Sequence, residues 1–294
     1  MIRLAVRVRR EQAELVLAEL LELAPGGVEE VTLGESVEYA VYGAPGELPS
    51  LPDLKAAAGA ALVEIATSET PDDWHERWRQ FHPPVHIPAP QPPGAGRRRV
   101  PALRVRPPWE PQAGGAGEAV EEIVIDPGQA FGTGAHATTR QCLELLLSAA
   151  ALEPRPRPLV DLGAGSGVLA IAAARLGFTP VLAIEHDRPS LAAASANAAA
   201  NGVRVELRQA DLRSRALWEA GADARGAVVV ANLLRPLLLE LSRAMPCAPA
   251  HLLAGGLLPD QVAEVSSAFT RRLGLRERER RHGDGWAAVW LSAP

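Results

Sequence analysis

Gly163, Gly165 and Gly167 stand at alternate positions in VDLGAGSGVLA, directly after a strand-like apolar run and before a helical one. Such a loop offers bare backbone to a ligand, but it departs from the dinucleotide fingerprint, whose third glycine would fall at 168, where this chain has Val168. Asp161, two residues ahead of Gly163, aims a carboxylate towards the loop. A nicotinamide pyrophosphate would be repelled there, whereas a ligand bearing an ammonium or sulfonium group would be attracted. That favours S-adenosylmethionine as the cofactor. Glu185 closes the next strand-like run, where an acid can accept hydrogen bonds from both ribose hydroxyls. Taken singly, a glycine loop can serve tight packing and either acid can be a solvated loop charge; the loop, Asp161 and Glu185 together point to cofactor binding. Asp211, in RQADLR after the third strand of the series, could reach an adenine amino group.

Asn232 ends a further strand-like run in VVVANLL. Its carbonyl oxygen can face a substrate N–H at the cofactor's methyl group, or its side chain can cap the helix expected from Arg235 to Ala244. Its place at the carboxyl end of a strand favours the first role. A lysine acceptor, with pKa ~10.4, costs roughly 4 to 5 kcal/mol to deprotonate at pH 7, against about 1 kcal/mol for an α-amine. Neutral acceptors such as Asn would help hold the free amine. The segment DPGQAFGTGAHATTR is as rich in glycine as the loop, and its His136 reads as a packing or hydrogen-bonding residue in preference to a general base.

These residues need a scaffold. After Glu121 the runs EEIVID, PLVDL, PVLAIE, RVELR, AVVVAN and HLLAGG alternate with Ala- and Leu-rich helical stretches, as in a doubly wound parallel sheet with helices on both faces. Ligands on such sheets bind at the carboxyl ends of the strands, near the point where strand order reverses. Pro189 suits the first turn of one helix and Gly202 the residue past its end. Residues 1 to about 68 read as βαββαβ, the order of a ferredoxin-like sandwich. Trp74, Trp78 and Phe81 fall on one helical face and read as a structural staple between domains. Residues 88–101, PAPQPPGAGRRRVP, read as an exposed loop between strands, with its three arginines solvated.

Composition narrows the class. The chain has 294 residues, 47% of them hydrophobic, enough for one full-sized and one smaller domain. Cys142 and Cys247 are its two cysteines and form no C-x-x-C pair, so neither a disulfide framework nor a zinc or other metal site is expected. A reducing cytoplasm fits best. The first residues alternate Ile2, Leu4, Val6 and Val8 with polar positions, a strand pattern unlike a signal peptide, and no run is apolar enough to cross a membrane. At a net charge of −5, nucleic acid is not the expected partner, while a basic protein is possible.

From Asp73 almost to the C-terminus the chain resembles the PrmA methyltransferases of large-subunit ribosomal protein eleven. The resemblance runs through DDWHERWRQFHP, DPGQAFGTGAHATT, VDLGAGSGVLAIAAARLG, ANAAANGV and VVVANLL, with FGTGAHATT its most specific part. It implies an α/β fold: a class I methyltransferase Rossmann-like doubly wound sheet behind a small N-terminal ferredoxin-like α+β domain. It also implies that Thr139, Gly163, Glu185 and Asn232 contact S-adenosylmethionine or its surroundings, beside Asp161 and Gly165, and that Phe131 to His136, Gly132 included, form a lid over the methionine end. Asn232 is the candidate catalytic residue. The expected reaction is repeated methylation of lysine side chains and an N-terminal amine, resting on proximity and in-line alignment. Two departures stand out: Glu185 where the family usually has Asp, and Gly255-Gly256 in place of Ser-Gly, which loses a hydroxyl near the pocket.

The expected division is residues 1–68 for substrate recognition, 69–120 as a linker helix with connecting strands and the Pro/Arg-rich loop, and 121–294 as the methyltransferase domain. A monomer acting on the ribosomal protein is expected. The competing readings are a methyltransferase of another protein or small amine, and a non-catalytic S-adenosylmethionine-binding ribosome-assembly factor.

Overall fold

The computed structural model describes residues 2–24, 28–43, 48–69, 82–90, 98–112, 119–128, 130–152, 157–214 and 224–294, which divide between two compact units, Met1–Phe81 and His82–Pro294. The expected staple of Trp74, Trp78 and Phe81 lies outside the described residues.

In the first unit β1 (Ile2–Arg9), α1 (Ala13–Leu23), β2 (Glu29–Leu33), β3 (Ser36–Gly43), α2 (Leu51–Ala58) and β4 (Leu62–Glu69) follow in the expected order. The sheet runs β2-β3-β1-β4 with every pairing antiparallel, which is the ferredoxin-like arrangement. The period-two pattern of β1 explains it. Leu4, Val6 and Val8 enter a core with Val16 and Leu20 of α1 and Leu54 of α2. On the other face Glu38 receives Arg3 at 2.7 Å and Arg7 at 2.9 Å, and the Arg3 bond holds its carboxyl below the usual range. Ser50 accepts from Asp53 N–H at 3.3 Å and caps α2.

The second unit begins with a three-stranded sheet, β5 (Val85–Ile87), β6 (Ala102–Arg106) and β7 (Val120–Val124). EEIVID therefore does not join the large parallel sheet: as β7 it pairs in parallel with β6. The apolar pattern marks a strand but not its neighbour. Of the three arginines of the Pro/Arg-rich loop, Arg97 lies outside the described residues and Arg99 is exposed as expected, whereas Arg98 is engaged. Arg98 places Nε 2.8 Å from Ala150 O and Nη2 2.7 Å from Leu176 O, so one guanidinium satisfies carbonyls at the ends of two helices.

Then come α3 (Ala137–Leu152), β8 (Leu159–Leu162), α4 (Val168–Arg175), β9 (Val181–Glu185), α5 (Arg188–Ala200), β10 (Glu206–Gln209), β11 (Val228–Asn232), α6 (Arg235–Ala244), β12 (His251–Leu257), α7 (Val262–Leu273), β13 (Arg276–Gly283) and β14 (Trp286–Ser292). The large sheet runs β10-β9-β8-β11-β12-β14-β13, parallel through β12 and antiparallel at β14 and β13. Strand order reverses between β8 and β11, so their carboxyl ends frame the crevice. Both faces are covered: Leu159 and Val230 pack among residues of α3 and α4, while Val160 and Val229 pack with Leu238 of α6 and Phe269 of α7. Each such side chain contributes about 1.5–3 kcal/mol on burial, which makes near-continuous apolar strands the stable choice here. Asp187 accepts from Ser190 N–H at 2.8 Å ahead of Pro189, and Gly202 takes φ +62° past the end of α5. Among the described residues no helix is long and apolar enough to cross a membrane.

Candidate functional site

β8 is buried along its whole length, and Asp161 lies within it at 0% exposure. Its Oδ2 accepts the Ala170 N–H in the first turn of α4 at 3.1 Å, while Oδ1 has no hydrogen-bond partner. Burial pushes its pKa up to about 7, opposed by the Ala170 bond and reinforced by the charge of Glu185. The carboxylate expected to point at the loop thus sits beneath it, at the start of the helix the loop feeds.

The loop after β8 is fastened to the end of β9. Gly163 N–H and Ala164 N–H both donate to Ile184 O, at 2.9 and 3.1 Å. Gly165 N–H donates to Glu185 Oε2 at 2.9 Å, and Glu185 Oε1 accepts from His186 N–H at 2.8 Å and Asp187 N–H at 3.0 Å. Three backbone donors therefore fix a carboxylate that is only 6% exposed; His186 Nδ1 also lies 2.9 Å from Oε1, and Oε2, with one donor, retains a lone pair for a hydroxyl.

The second glycine-rich segment lies against the first. Ser166 N–H donates to Phe131 O at 2.8 Å and Ser166 Oγ–H to Gly132 O at 2.6 Å. The approach is so close that a Cβ on Gly165, whose φ is +52°, would stand 2.5 Å from Phe131 O. The Phe131 ring is 60% exposed and meets His136 at 5.4 Å between centroids, and His136 meets Trp286 at 5.2 Å. His136 Nδ1 accepts Thr138 N–H at 3.3 Å and lies 2.9 Å from Thr138 Oγ1, so its free lone pair is occupied and its proton belongs on Nε2. Burial, then the charge of Arg140, lowers its pKa and keeps it neutral. A ring so engaged is a poor general base.

Asn232 stands at the carboxyl end of β11, opposite Gly255 of β12. Its Nδ2 lies 3.3 Å from Thr138 Oγ1 and 3.4 Å from Thr139 Oγ1, both hydroxyls being buried in the first turn of α3. It does not cap α6, whose N-cap is Leu234. With its amide nitrogen directed at two threonines, Oδ1 is the atom left to accept from an incoming N–H. A Cβ on Gly255 would stand 2.4 Å from Cys142 Sγ and 3.1 Å from Asn232 Oδ1. The hydroxyl absent at 255 is thus excluded by a buried thiol, whose pKa rises through burial and then the charge of Asp161.

The structure brings Asp161, Gly163, Gly165, Glu185, Phe131, Gly132, Thr139 and Asn232 to the carboxyl ends of β8, β9 and β11. Asp211 follows β10, where Ala210 N–H donates to Glu185 O at 3.1 Å; its carboxylate is exposed and accepts the Arg213 N–H at 2.9 Å. Sequence reasoning passed over Ser166 and Thr138, although both stand inside quoted motifs. A serine between two glycines, and a second threonine beside Thr139, are the signals that could have marked them.

A family model described as ribosomal protein L11 methyltransferase (PrmA) matches residues 53–293. A ribosomal protein L11 methyltransferase of Geobacter sulfurreducens is 38% identical over 226 residues, covering 75% of this chain and 67% of its own. One of Symbiobacterium thermophilum is 36% identical, with coverage of 76% and 66%. The chain thus spans about two thirds of the length of these relatives. Among solved structures, the ribosomal protein L11 methylase of Lactobacillus delbrueckii subsp. bulgaricus superimposes with a TM-score of 0.56 at 30% identity, covering 65% of this chain and 94% of that one.

Proposed function

Because the chain belongs to the PrmA family of ribosomal protein L11 methyltransferases, we propose that it transfers methyl groups from S-adenosylmethionine to lysine and N-terminal amines of ribosomal protein L11. The observation that carries this reading is the meeting of an acidic, backbone-lined cradle with an oriented Asn232 amide in one crevice. The Glu185 carboxylate, held by three backbone donors at the end of β9, brings negative charge to the crevice, while fully buried Asp161 supports the loop from beneath through Ala170 N–H. That charge suits a cationic ligand with ribose hydroxyls and disfavours a pyrophosphate.

In this reading the backbone of Gly163 and Gly165 holds the amino-acid end of the cofactor over the buried support of Asp161, Glu185 takes the ribose, Thr139 orients Asn232 from the first turn of α3, and Phe131 and Gly132 close over the site. Bound S-adenosylmethionine supplies a methyl group on a sulfonium. Asn232 accepts an N–H of the acceptor through Oδ1 and so aims the nitrogen lone pair. With the His136 lone pair occupied, the acceptor sheds its proton to water before transfer. The first unit recognises the protein substrate, and the enzyme works in the cytoplasm as a monomer.

The test is the intact mass of purified ribosomal protein L11 after incubation with the protein and S-adenosylmethionine, followed by peptide mapping. Mass gains in whole methyl steps, mapped to amines, support the proposal. Unchanged mass, with cofactor binding shown in parallel, would send the search to another acceptor.

A further inference from the structure

α5 has seven alanines among its 13 residues, yet Asn197 within it and Asn201 at its C-cap, four residues apart, are both buried. Asparagine is a weaker helix former than alanine, and an unpaired buried amide costs about 1–3 kcal/mol, so both side chains need partners. They find different ones. Asn201 stays with β7, accepting Val124 N–H at 2.8 Å and donating to Val124 O at 2.6 Å and to Asn197 O at 2.7 Å. Asn197 accepts Asp126 N–H at 2.9 Å, where the chain leaves β7, and donates to the carbonyl of Ser166 at 2.9 Å.

Ser166 is the residue whose N–H and hydroxyl hold Phe131 and Gly132 over the glycine loop. One buried side chain thus joins the root of the covering segment to the loop residue that grips its tip. We propose that Asn197 is a positioning residue for cofactor binding: through Ser166 and Asp126 it sets the height of the Phe131–Gly132 stretch above the glycine loop. This rests on the reading that S-adenosylmethionine binds at that loop. Losing the amide frees the Ser166 peptide to rotate, and the covering segment then closes on the ligand less often, which weakens binding while leaving the geometry at Asn232 intact.

The experiment compares full-length Asn197→Ala and Asn201→Ala proteins, since both remove buried amide bonds from the same helix face. The expected result is a similar fall in Tm for the two. Only Asn197→Ala should raise the Kd for S-adenosylmethionine, by about tenfold or ~1.4 kcal/mol. Its KM for S-adenosylmethionine on purified ribosomal protein L11 should rise likewise, with kcat held within about twofold at saturation. Asn197→Asp keeps an acceptor for Asp126 and loses the donor to Ser166, so it should show most of the affinity loss even if the alanine variant folds poorly. Equal Kd values for wild type and Asn197→Ala, or equal losses in both alanine variants, would overturn the proposal. Amide exchange in the ligand-free protein separates it from the cofactor reading. Faster exchange at Ser166 in Asn197→Ala alone supports the positioning role whatever the ligand, whereas a wild-type protein that binds no S-adenosylmethionine defeats the cofactor reading.

Discussion

The backbone N–H of Gly165 donates to the Glu185 carboxylate across 2.9 Å, so the loop after β8 and the acid that ends β9 form one unit. Glu185→Gln can keep a carbonyl oxygen for the His186 and Asp187 N–H groups but then sets an amide NH2 against the Gly165 N–H. Binding of S-adenosylmethionine should weaken at least tenfold, about 1.4 kcal/mol, with a comparable loss of stability. Calorimetry beside thermal unfolding checks both, and an unchanged Kd removes Glu185 from the site.

Gly165→Ala brings a methyl group to within 2.5 Å of Phe131 O and demands a left-handed backbone from a residue that resists it by roughly 1–2 kcal/mol. Phe131 must retreat, taking the covering segment with it. We expect a folded protein with no measurable cofactor binding. A variant with wild-type affinity would show that the two segments separate when the ligand enters.

Much of this site can be read in the sequence because its signals are local. Gly163 and Gly165 follow a short apolar strand, and Glu185 and Asn232 each close one. What could not be read lies in contacts between distant residues: Ser166 with Gly132, Asn197 with both Asp126 and Ser166, and Cys142 with Gly255. Strand β13, RERERRHG, escaped notice for another reason. An exposed edge strand needs no apolar alternation, and its charges discourage pairing with another chain. EEIVID was legible as a strand, but its partner β6 lies upstream across residues 107–119, and no local pattern records a parallel pairing.

Asn232→Ala removes the acceptor at the carboxyl end of β11 and leaves the Glu185 cradle alone. Single-turnover transfer to ribosomal protein L11 should slow by about 10²-fold or more, in the range expected when a preorganised polar group is lost. Cofactor Kd should stay within about threefold. A larger change in Kd than in the rate of transfer would assign Asn232 to cofactor binding alone.

Gly255→Ser should destabilise the protein by about 1–3 kcal/mol, the usual cost of overfilling a packed core, because the new Cβ meets Cys142 Sγ at 2.4 Å. Cys142→Ala removes that sulfur. The double variant should then recover much of the loss, a coupling that a urea-unfolding double-mutant cycle measures directly. Additive losses would mean that backbone conformation at 255, and not the thiol, requires glycine.

Asp161 gives a pH dependence whose sign is fixed by its burial. Its carboxyl titrates at about 7 in the folded protein but near ~3.9 in an unfolded chain. Between those values the unfolded chain has lost a proton that the folded protein keeps. The stabilising contribution is therefore complete below about pH 4 and falls as pH rises towards 7, by at most ~1.4 kcal/mol per pH unit, levelling off above that. Asp161→Asn keeps an oxygen for the Ala170 N–H and cannot ionise. Its stability relative to wild type should therefore climb from pH 5 to pH 7 and stay constant to pH 8.5. Urea unfolding of both proteins across that range cancels every other titrating group, and a flat difference would mean that water or a neighbouring donor reaches Oδ1 and holds Asp161 ionised.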